Sequence, residues 1–365
     1  MIITKLELTD YRSYVHQTIE FDKGLHVFVG PNGAGKTNLV EAIHYLSLAR
    51  SFRTVDDSRL IRRGAAAAAI RATIKTGDGR KTIAIGIEPS GKKVLVNDKP
   101  LGRLSELLDM ANVIVFEPRD VFLFDDFPKA RRRFLDTALT KQDRDYLEAL
   151  TRYERLLKER NELLKRDTVN RVLLATLTEQ MVDMARPIVA KREEYLNRIN
   201  EIIERIVKAI RGDELLVRLA YEPFVPLTDQ FERQALSLYQ KTLEGDIKRK
   251  VTSEGPHRED FRIELDKENI ASFGSQGENR LLAIALKLSP YFLIEDKLRR
   301  PIVVLDDVLS ELDVPTQDRL LNFLLKFEQV FVTTTKYKRD LGIIHDIKNS
   351  TIRRRNDHDQ QRTAG

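Results

Sequence analysis

The chain has 365 residues, 42% hydrophobic and 32% charged, with 62 basic and 56 acidic side chains for a net charge of +6. That length suits one large core or two moderate ones. The absence of cysteine excludes disulfides and thiolate metal sites, and no stretch approaches the ~20 apolar residues of a membrane span. The small basic excess permits nucleic-acid binding without arguing for it, so how the cations cluster matters more than their sum. The opening MIITKLELTDYRSY mixes charged and apolar positions and lacks the apolar run of a signal peptide. A cytoplasmic chain without membrane attachment is the expectation.

Ile2 to Leu8 alternates as a half-buried strand does, Tyr11 to Tyr14 reads as a loop, and a second strand is expected near His16 to Phe21. His26 to Val29 is an apolar run that enters Gly30-Pro31-Asn32-Gly33-Ala34-Gly35-Lys36-Thr37, a match to the phosphate-binding pattern G-x-x-x-x-G-K-[ST]. Glycines there let backbone N–H groups close around phosphate oxygens, where a side chain would block the approach or a positive φ. The helix leaving the loop, with Leu39, Ile43, Leu46 and Arg50 on one face, aims its N-terminus at the anion. Lys36 is expected at the β- and γ-phosphates and the Thr37 hydroxyl on magnesium.

Arg50, Arg53, Arg59, Arg62 and Arg63 put five arginines within fourteen residues, a solvated face or a contact surface for DNA phosphates. Short β-like runs at 65–74, 82–88 and 93–96, split by Gly-Asp-Gly and Pro-Ser-Gly turns, predict an antiparallel meander. Residues 101–110 read as helix and Val113 to Phe116 as a buried strand. From Lys129 to about Arg211 the period becomes helical, with stripes such as Tyr146, Leu150, Tyr153, Leu157, Leu164 and Tyr195, Ile199, Ile202, Ile206. Pro187 is expected to kink or break the second long helix. At 1.5 Å per residue the two helices span roughly 36 and 60 Å, a short arm. A strand at 214–221, a helix at 229–244 and a strand at Phe261 to Leu265 follow. His257, in the turn between these last two, suits a structural role better than a catalytic one.

Pro301 to Asp307 is an apolar strand ending in two carboxylates, which suits magnesium ligation by Asp306 and polarisation of an attacking water by Asp307. Upstream, Ser275-Gln276-Gly277 opens a strong helical segment, Leu281 to Leu298, as either an anion-binding end or an ordinary cap. The order of phosphate loop, Ser-Gln-Gly helix start, strand with two aspartates and Ser310-Glu311-Leu312-Asp313 resembles the ABC-type ATPase head. Within that class the chain resembles the RecF family of bacterial recombination mediators. The resemblance rests on DYRSY from Asp10, GPNGAGKTN, SFRT with LIRRG, FEPRDV, ARRRFLD, EGPHRED, GSQGENR, VVLDDVLSELD and the threonines near 333, and so covers nearly all the chain.

The resemblance implies an α/β fold: an ABC-type P-loop ATPase head, with a mixed sheet and an antiparallel β subdomain, plus a helical second lobe bearing a short arm. Residues 1–120 and 250–345 would form the ATPase lobe, 121–249 the helical lobe, and 346–365 a basic flexible tail. It implies ATP and Mg2+ as cofactors, with Gly30, Pro31, Asn32, Gly33, Ala34, Gly35, Lys36, Thr37, Asn38 and Arg12 at the nucleotide. Ser275, Gln276 and Gly277 would reach the γ-phosphate held by a second copy. Lys36, Asp306 and Asp307 would serve hydrolysis, Thr37 and Asp306 the metal, and Arg50, Arg53, Arg62 and Arg63 DNA. Glu117 is expected at the Q-loop position, and Thr335 or a neighbour at that of the switch histidine. The implied activity is a slow, DNA-stimulated ATPase that clamps single- and double-stranded DNA at gaps as an ATP-bound homodimer. It would help load RecA with RecR and RecO, and hydrolysis would release it. Two positions depart from the pattern: Asp307 stands where transporter-type relatives have the longer Glu, and Glu278 puts a negative charge where the RecF signature has Gln. Two further readings compete, an SMC-like structural DNA-organising ATPase, against which the short arm argues, and a small-molecule P-loop kinase, in which the Ser-Gln-Gly helix start has no purpose.

Overall fold

The computed structural model describes residues 1–123, 128–266, 268–269 and 276–355, and the chain divides into two compact units. Unit one comprises Met1–Asp120, Ile206–Asp213 and the chain from Arg280 onward; unit two comprises Val121–Arg205 and Glu214–Asn279.

Unit one holds two six-stranded sheets. In the first, β1 (Ile2–Tyr11), β2 (Tyr14–Glu20), β4 (Ala68–Thr76), β5 (Gly79–Glu88), β6 (Gly91–Val96) and β7 (Lys99–Pro100) pair antiparallel in the order β2-β1-β4-β5-β6-β7. In the second, β3 (Gly24–Val29), β8 (Val113–Phe116), β12 (Ile302–Leu305), β13 (Gln329–Thr334), β14 (Ile343–Lys348) and β15 (Thr351–Arg354) take the order β15-β14-β3-β13-β12-β8. All neighbours there are parallel except the β14/β15 hairpin. This is the mixed-sheet head with an antiparallel subdomain that the motifs imply.

Helix α1 (Lys36–Leu48) shares one core with both sheets. Leu39, Val40, Ile43 and Leu46 pack in the cluster that includes Ile3, Leu6, Ile70 and Ile85 from the first sheet and Val113, Val304 and Phe331 from the second. Covered on more than one side, α1 needs apolar residues around most of its circumference, and full burial of a side chain such as Ile43 contributes about 1.5–3 kcal/mol. The helix stops where Ala49 turns left-handed (φ 46) and donates its N–H to the Tyr45 carbonyl. Arg50 therefore lies beyond the helix and not on its face.

Unit two contains α2 (Pro128–Thr140), α3 (Arg144–Leu164), most of α4 (Arg171–Arg211), α5 (Phe231–Arg249) and an antiparallel sheet of β9 (Val217–Glu222), β10 (Asp260–Leu265) and β11 (Glu268–Asn269), ordered β11-β10-β9. Helix α6 (Gln276–Leu293) leads back into unit one, where α7 (Val314–Leu324) follows β12. No helix among the described residues is long and apolar enough to cross a membrane.

The structure corrects several expectations. Residues 250–279 belong to unit two and not to the ATPase lobe, because β10 pairs with β9 along its whole length, from Asp260↔Glu222 to Leu265↔Val217. The expected tail at 346–365 begins as a strand pair: β14 runs parallel to β3, with Ile344 opposite Val27, and Ile347 and Ile352 are buried; residues 356–365 lie outside the described residues. Pro187 sits inside α4 without ending it. The helix read at 101–110 is narrower, a 3-10 helix over residues 104–109, and α6 ends at Leu293 and not Leu298. Beyond it, Asp296 accepts from the Leu298 N–H and starts a separate 3-10 turn.

Candidate functional site

β3 ends at Val29 and α1 starts at Lys36, so residues 30–35 are the turn between them. Gly33 (φ 80) and Gly35 (φ 109) occupy the left-handed region that favours glycine. Gly30 is required for space instead, since a Cβ there would lie 2.3 Å from the Ile347 carbonyl oxygen. Pro31, Asn32 and Gly33 are exposed and Ala34 is buried, its N–H closing on the Pro31 carbonyl at 3.2 Å. The Tyr14 hydroxyl donates to the Gly35 carbonyl at 2.9 Å and ties the loop to the start of β2.

Lys36 is 6% exposed. Its ammonium donates to the carbonyls of Gly30 (2.7 Å) and Pro31 (3.0 Å). Burial lowers its pKa, against which the charges of Asp307 and Asp306 act. Two neutral carbonyls are weak partners for a buried cation, and an oxyanion would satisfy it better.

Asp306 and Asp307 follow β12, one strand removed from β3. Asp306 Oδ1 accepts from Thr333 Oγ1 at 2.6 Å and from Thr37 Oγ1 at 3.3 Å, and its N–H donates to the Phe116 carbonyl at 2.9 Å. Burial raises its pKa, while the Thr333 and Thr37 bonds and the Arg53 charge act the other way. Asp307 adopts a left-handed φ of 51, uncommon for a side chain with a Cβ and concentrated at functional sites. Its N–H donates to Thr333 Oγ1 at 2.9 Å, and its buried Oδ1 has no hydrogen-bond partner among the described residues. Glu117, just past β8, is pushed up in pKa by burial and then by the Asp120 charge; its N–H donates to Asp120, which pairs with Lys287 at 2.7 Å.

The fold thus brings together Lys36, Thr37, Asp306 and Asp307 from segments 270 residues apart. Thr333 was not anticipated as their link. The sequence places Thr335 or a neighbour at the switch-histidine position; Thr335 itself is half-buried, and it is Thr333, on the apolar strand beside the one that carries the aspartates, that meets them. The donors fit a nucleoside triphosphate with magnesium. A buried ammonium and a glycine cradle face the phosphate position, and Thr37 and Asp306 supply two hard oxygens. Among the described residues no group of three or more His, Asp or Glu could hold a metal without such help.

The arginines are less free than the sequence suggests. Arg12 (φ 52) makes a bidentate pair with Glu41 (Nε to Oε2 2.8 Å, Nη2 to Oε1 2.7 Å) and donates to the Arg59 carbonyl at 2.9 Å. Burial opposes its charge, and the Glu41 bonds outweigh burial so that its pKa rises. Arg53 donates to Asn38 Oδ1 (3.0 Å) and Glu41 Oε2 (3.4 Å), and its charge is felt at Asp306. Asn38 also donates to Ser13 Oγ at 3.0 Å. Arg62 pairs with Asp10 at 2.6 Å. Arg50 and Arg63 alone of the proposed DNA-contact set are exposed with no ion pair among the described residues, so the four do not form one open cationic patch. In the run at 131–133, Arg131 is paired with Asp260 (2.7 and 2.6 Å) and Arg132 donates to the Glu259 carbonyl.

Ser275 lies outside the described residues, Gln276 starts α6, and Gly277 is exposed in its first turn. Arg280, farther along α6, pairs with Glu311. His257 is held in place: its Nδ1 meets the Tyr153 hydroxyl at 2.8 Å and burial lowers its pKa to about 4.

Comparison with known proteins agrees with this geometry. The RecF/RecN/SMC N terminal domain family matches residues 2–340. The chain is 37% identical to the DNA replication and repair protein RecF of Geobacillus thermodenitrificans, over 95% of both chains. It is 36% identical to that of Bacillus subtilis, again over 95% of both. Two solved structures of the recombination mediator protein RecF in the RecFOR pathway superpose on it, as RecF-ATPrS (TM-score 0.88, 28% identity, 97% of this chain and 98% of that one) and as RecF-ATP (TM-score 0.86, 29% identity, 97% of each). An Smc head bound to the C-winged helix domain of ScpA shares the fold at TM-score 0.61 and 18% identity, over 99% of this chain and 100% of that one.

Proposed function

The chain belongs to the RecF/RecN/SMC N-terminal domain family and, within it, to the RecF DNA replication and repair proteins, and on that premise we propose that it is a nucleotide-gated DNA-binding protein of recombinational repair. ATP is held by residues 30–38, with Lys36 leaving the Gly30 and Pro31 carbonyls for the β- and γ-phosphates. Thr37 and Asp306 hold magnesium, which when bound neutralises phosphate charge. Asp307 accepts a hydrogen bond from the attacking water through its Oδ1, and Thr333 keeps the two carboxylates in register. The observation that carries this reading is the buried Asp307 oxygen without a partner, two residues past a strand that also delivers Asp306 to Thr37.

One phosphate loop and one Ser275-Gln276-Gly277 segment per chain make two half-sites, so two chains enclose two ATP molecules in a two-fold dimer. ATP, bound by both chains, shifts the population toward that dimer. The dimer clamps single- and double-stranded DNA near gaps and acts with RecR and RecO in loading RecA in the cytoplasm. Slow, DNA-stimulated hydrolysis releases it, the short Asp307 side chain suiting a low rate. The test is fluorescence anisotropy of a gapped duplex with wild type and Lys36→Ala, with and without ATP. The expected result is tight binding by wild type only with ATP and none of that enhancement in Lys36→Ala. Equal binding by both proteins, indifferent to ATP, contradicts the proposal.

A further inference from the structure

The turn between β1 and β2 lies along the side of α1. Arg12 meets Glu41, Asn38 Nδ2 donates to Ser13 Oγ at 3.0 Å, and the Tyr14 hydroxyl donates to the Gly35 carbonyl at 2.9 Å. Successive residues of the turn thus reach positions 41, 38 and 35, a step of three residues that keeps to one helix face. Tyr14 is the one that meets the phosphate loop itself. It is fully buried, and burial pushes its pKa up, so the hydroxyl keeps its proton and stays a donor. A Cβ on Gly35 would lie 3.0 Å from its oxygen. The Gly35 carbonyl also accepts the Leu39 N–H at 3.0 Å, and Tyr14 takes its second lone pair. One residue earlier, the Ala34 carbonyl accepts the Ser350 N–H at 3.1 Å. That N–H comes from the β14–β15 turn, where Asn349 (φ 50) and Ser350 (φ 57) are both left-handed.

A trans peptide sets its C=O and N–H on opposite sides of one plane, so a carbonyl held from outside the loop aims the N–H of the same plane inward. The Ala34 carbonyl shares its plane with the Gly35 N–H, and the Gly35 carbonyl shares its plane with the Lys36 N–H. Neither N–H donates to a backbone carbonyl among the described residues. We propose that Tyr14 is a positioning residue of the phosphate cradle: its hydroxyl holds the Gly35 carbonyl from behind and so fixes the Lys36 N–H toward the phosphates. Tyr14 itself touches no nucleotide. The Ser350 N–H steadies the preceding peptide in the same way, but it is a backbone contact that survives a change of side chain. The Tyr14 contact disappears with one oxygen atom. This inference rests on the nucleotide reading of the site and adds to it the residue that orients the loop's backbone donors.

The experiment measures the Kd of fluorescent mant-ATP and mant-ADP with magnesium for the full chain as wild type, Tyr14→Phe and Ser13→Ala, each with its unfolding midpoint. Tyr14→Phe leaves the Gly35 carbonyl bonded to the Leu39 N–H, so no buried group is orphaned and the variant folds. It is expected to weaken both nucleotides by the same factor, about fivefold, the scale of one neutral hydrogen bond. The factor is shared because backbone N–H groups of such a loop meet the α- and β-phosphates, which ATP and ADP have in common. Ser13→Ala loosens the same turn but leaves the Gly35 carbonyl held, and is expected to bind as wild type does. A Tyr14→Phe chain that melts earlier yet binds both nucleotides normally overturns the proposal, because the hydroxyl then supports the fold alone. A loss confined to ATP, or an equal loss in Ser13→Ala, overturns it too. Lys36→Ala runs in parallel: if it binds mant-ATP normally, the nucleotide reading itself fails, whatever Tyr14 does.

Discussion

The two units contain the same kinds of buried charged residues and use them differently. In unit two, Arg192 is 1% exposed and donates to Tyr146 (3.0 Å), the Pro256 carbonyl (2.7 Å), Glu259 (2.8 Å) and Asp136 (2.8 Å). Glu259 takes further bonds from Tyr221 and the Phe224 N–H. Arg160 pairs with Asp246 at 2.9 Å, whose other oxygen accepts from Ser253. Both carboxylates thus have a donor on each oxygen. In unit one, Asp307 keeps a buried oxygen with no partner among the described residues, and Lys36 rests on neutral carbonyls. The completeness of the partner set separates a framework from a site: a satisfied network has nothing left to bind a ligand with, and a deficient one does.

Variants sharpen that contrast. Arg192→Met should destabilise the fold by about 3–5 kcal/mol, since it leaves Glu259 buried beside an apolar group, and denaturant unfolding measures it. An effect below about 1 kcal/mol would mean the unit-two network is not the framework described. Acid should weaken the fold through His257, whose pKa is about 4 in the folded chain against ~6.5 unfolded. The folded state then binds fewer protons than the unfolded one between these values, so the contribution is full above pH ~6.5 and falls as pH drops toward 4. It amounts to at most about 3 kcal/mol, and the drop should shrink in His257→Asn; urea midpoints across that range check it.

Lys36→Ala should cost nucleotide affinity by roughly a hundredfold, as loss of a charge-assisted phosphate contact implies, while the unfolding midpoint moves little. Isothermal titration and thermal melting together separate the two effects. Thr333→Val should act on turnover more than on binding. It removes the donor to Asp306 and the acceptor for the Asp307 N–H, for about 1–2 kcal/mol and a tenfold slower hydrolysis, read by phosphate release at saturating ATP.

The part of this site that was legible in the sequence is the part encoded locally. The residues of GPNGAGKT are contiguous, so their spacing alone gives the turn, and Val303-Val304-Leu305-Asp306-Asp307 announces a buried strand with carboxylates at its end. Glu41 was invisible because in NLVEAIHYLSL it reads as one polar residue on a helix; only the approach of residues 12 and 51–53 buries it. Arg53 and Arg62 read as a cationic patch for the same reason, their acidic partners Glu41 and Asp10 being brought in by the fold. The β14/β15 pair was missed because its partner strand is β3, more than 300 residues earlier, and no local pattern reveals such pairing. Pro187 does not end α4, because burial along the helix, with Ile188 and Val189 fully buried, outweighs the loss of one backbone hydrogen bond.

The central claim is that one chain carries two incomplete halves of a nucleotide pocket. Sedimentation velocity of Asp307→Asn at micromolar concentration, with and without ATP and magnesium, tests it most directly, because this variant removes the proposed loss of the dimer through hydrolysis. The account predicts a monomer without nucleotide and a dimer with it. A chain that stays monomeric while saturated with ATP would contradict it.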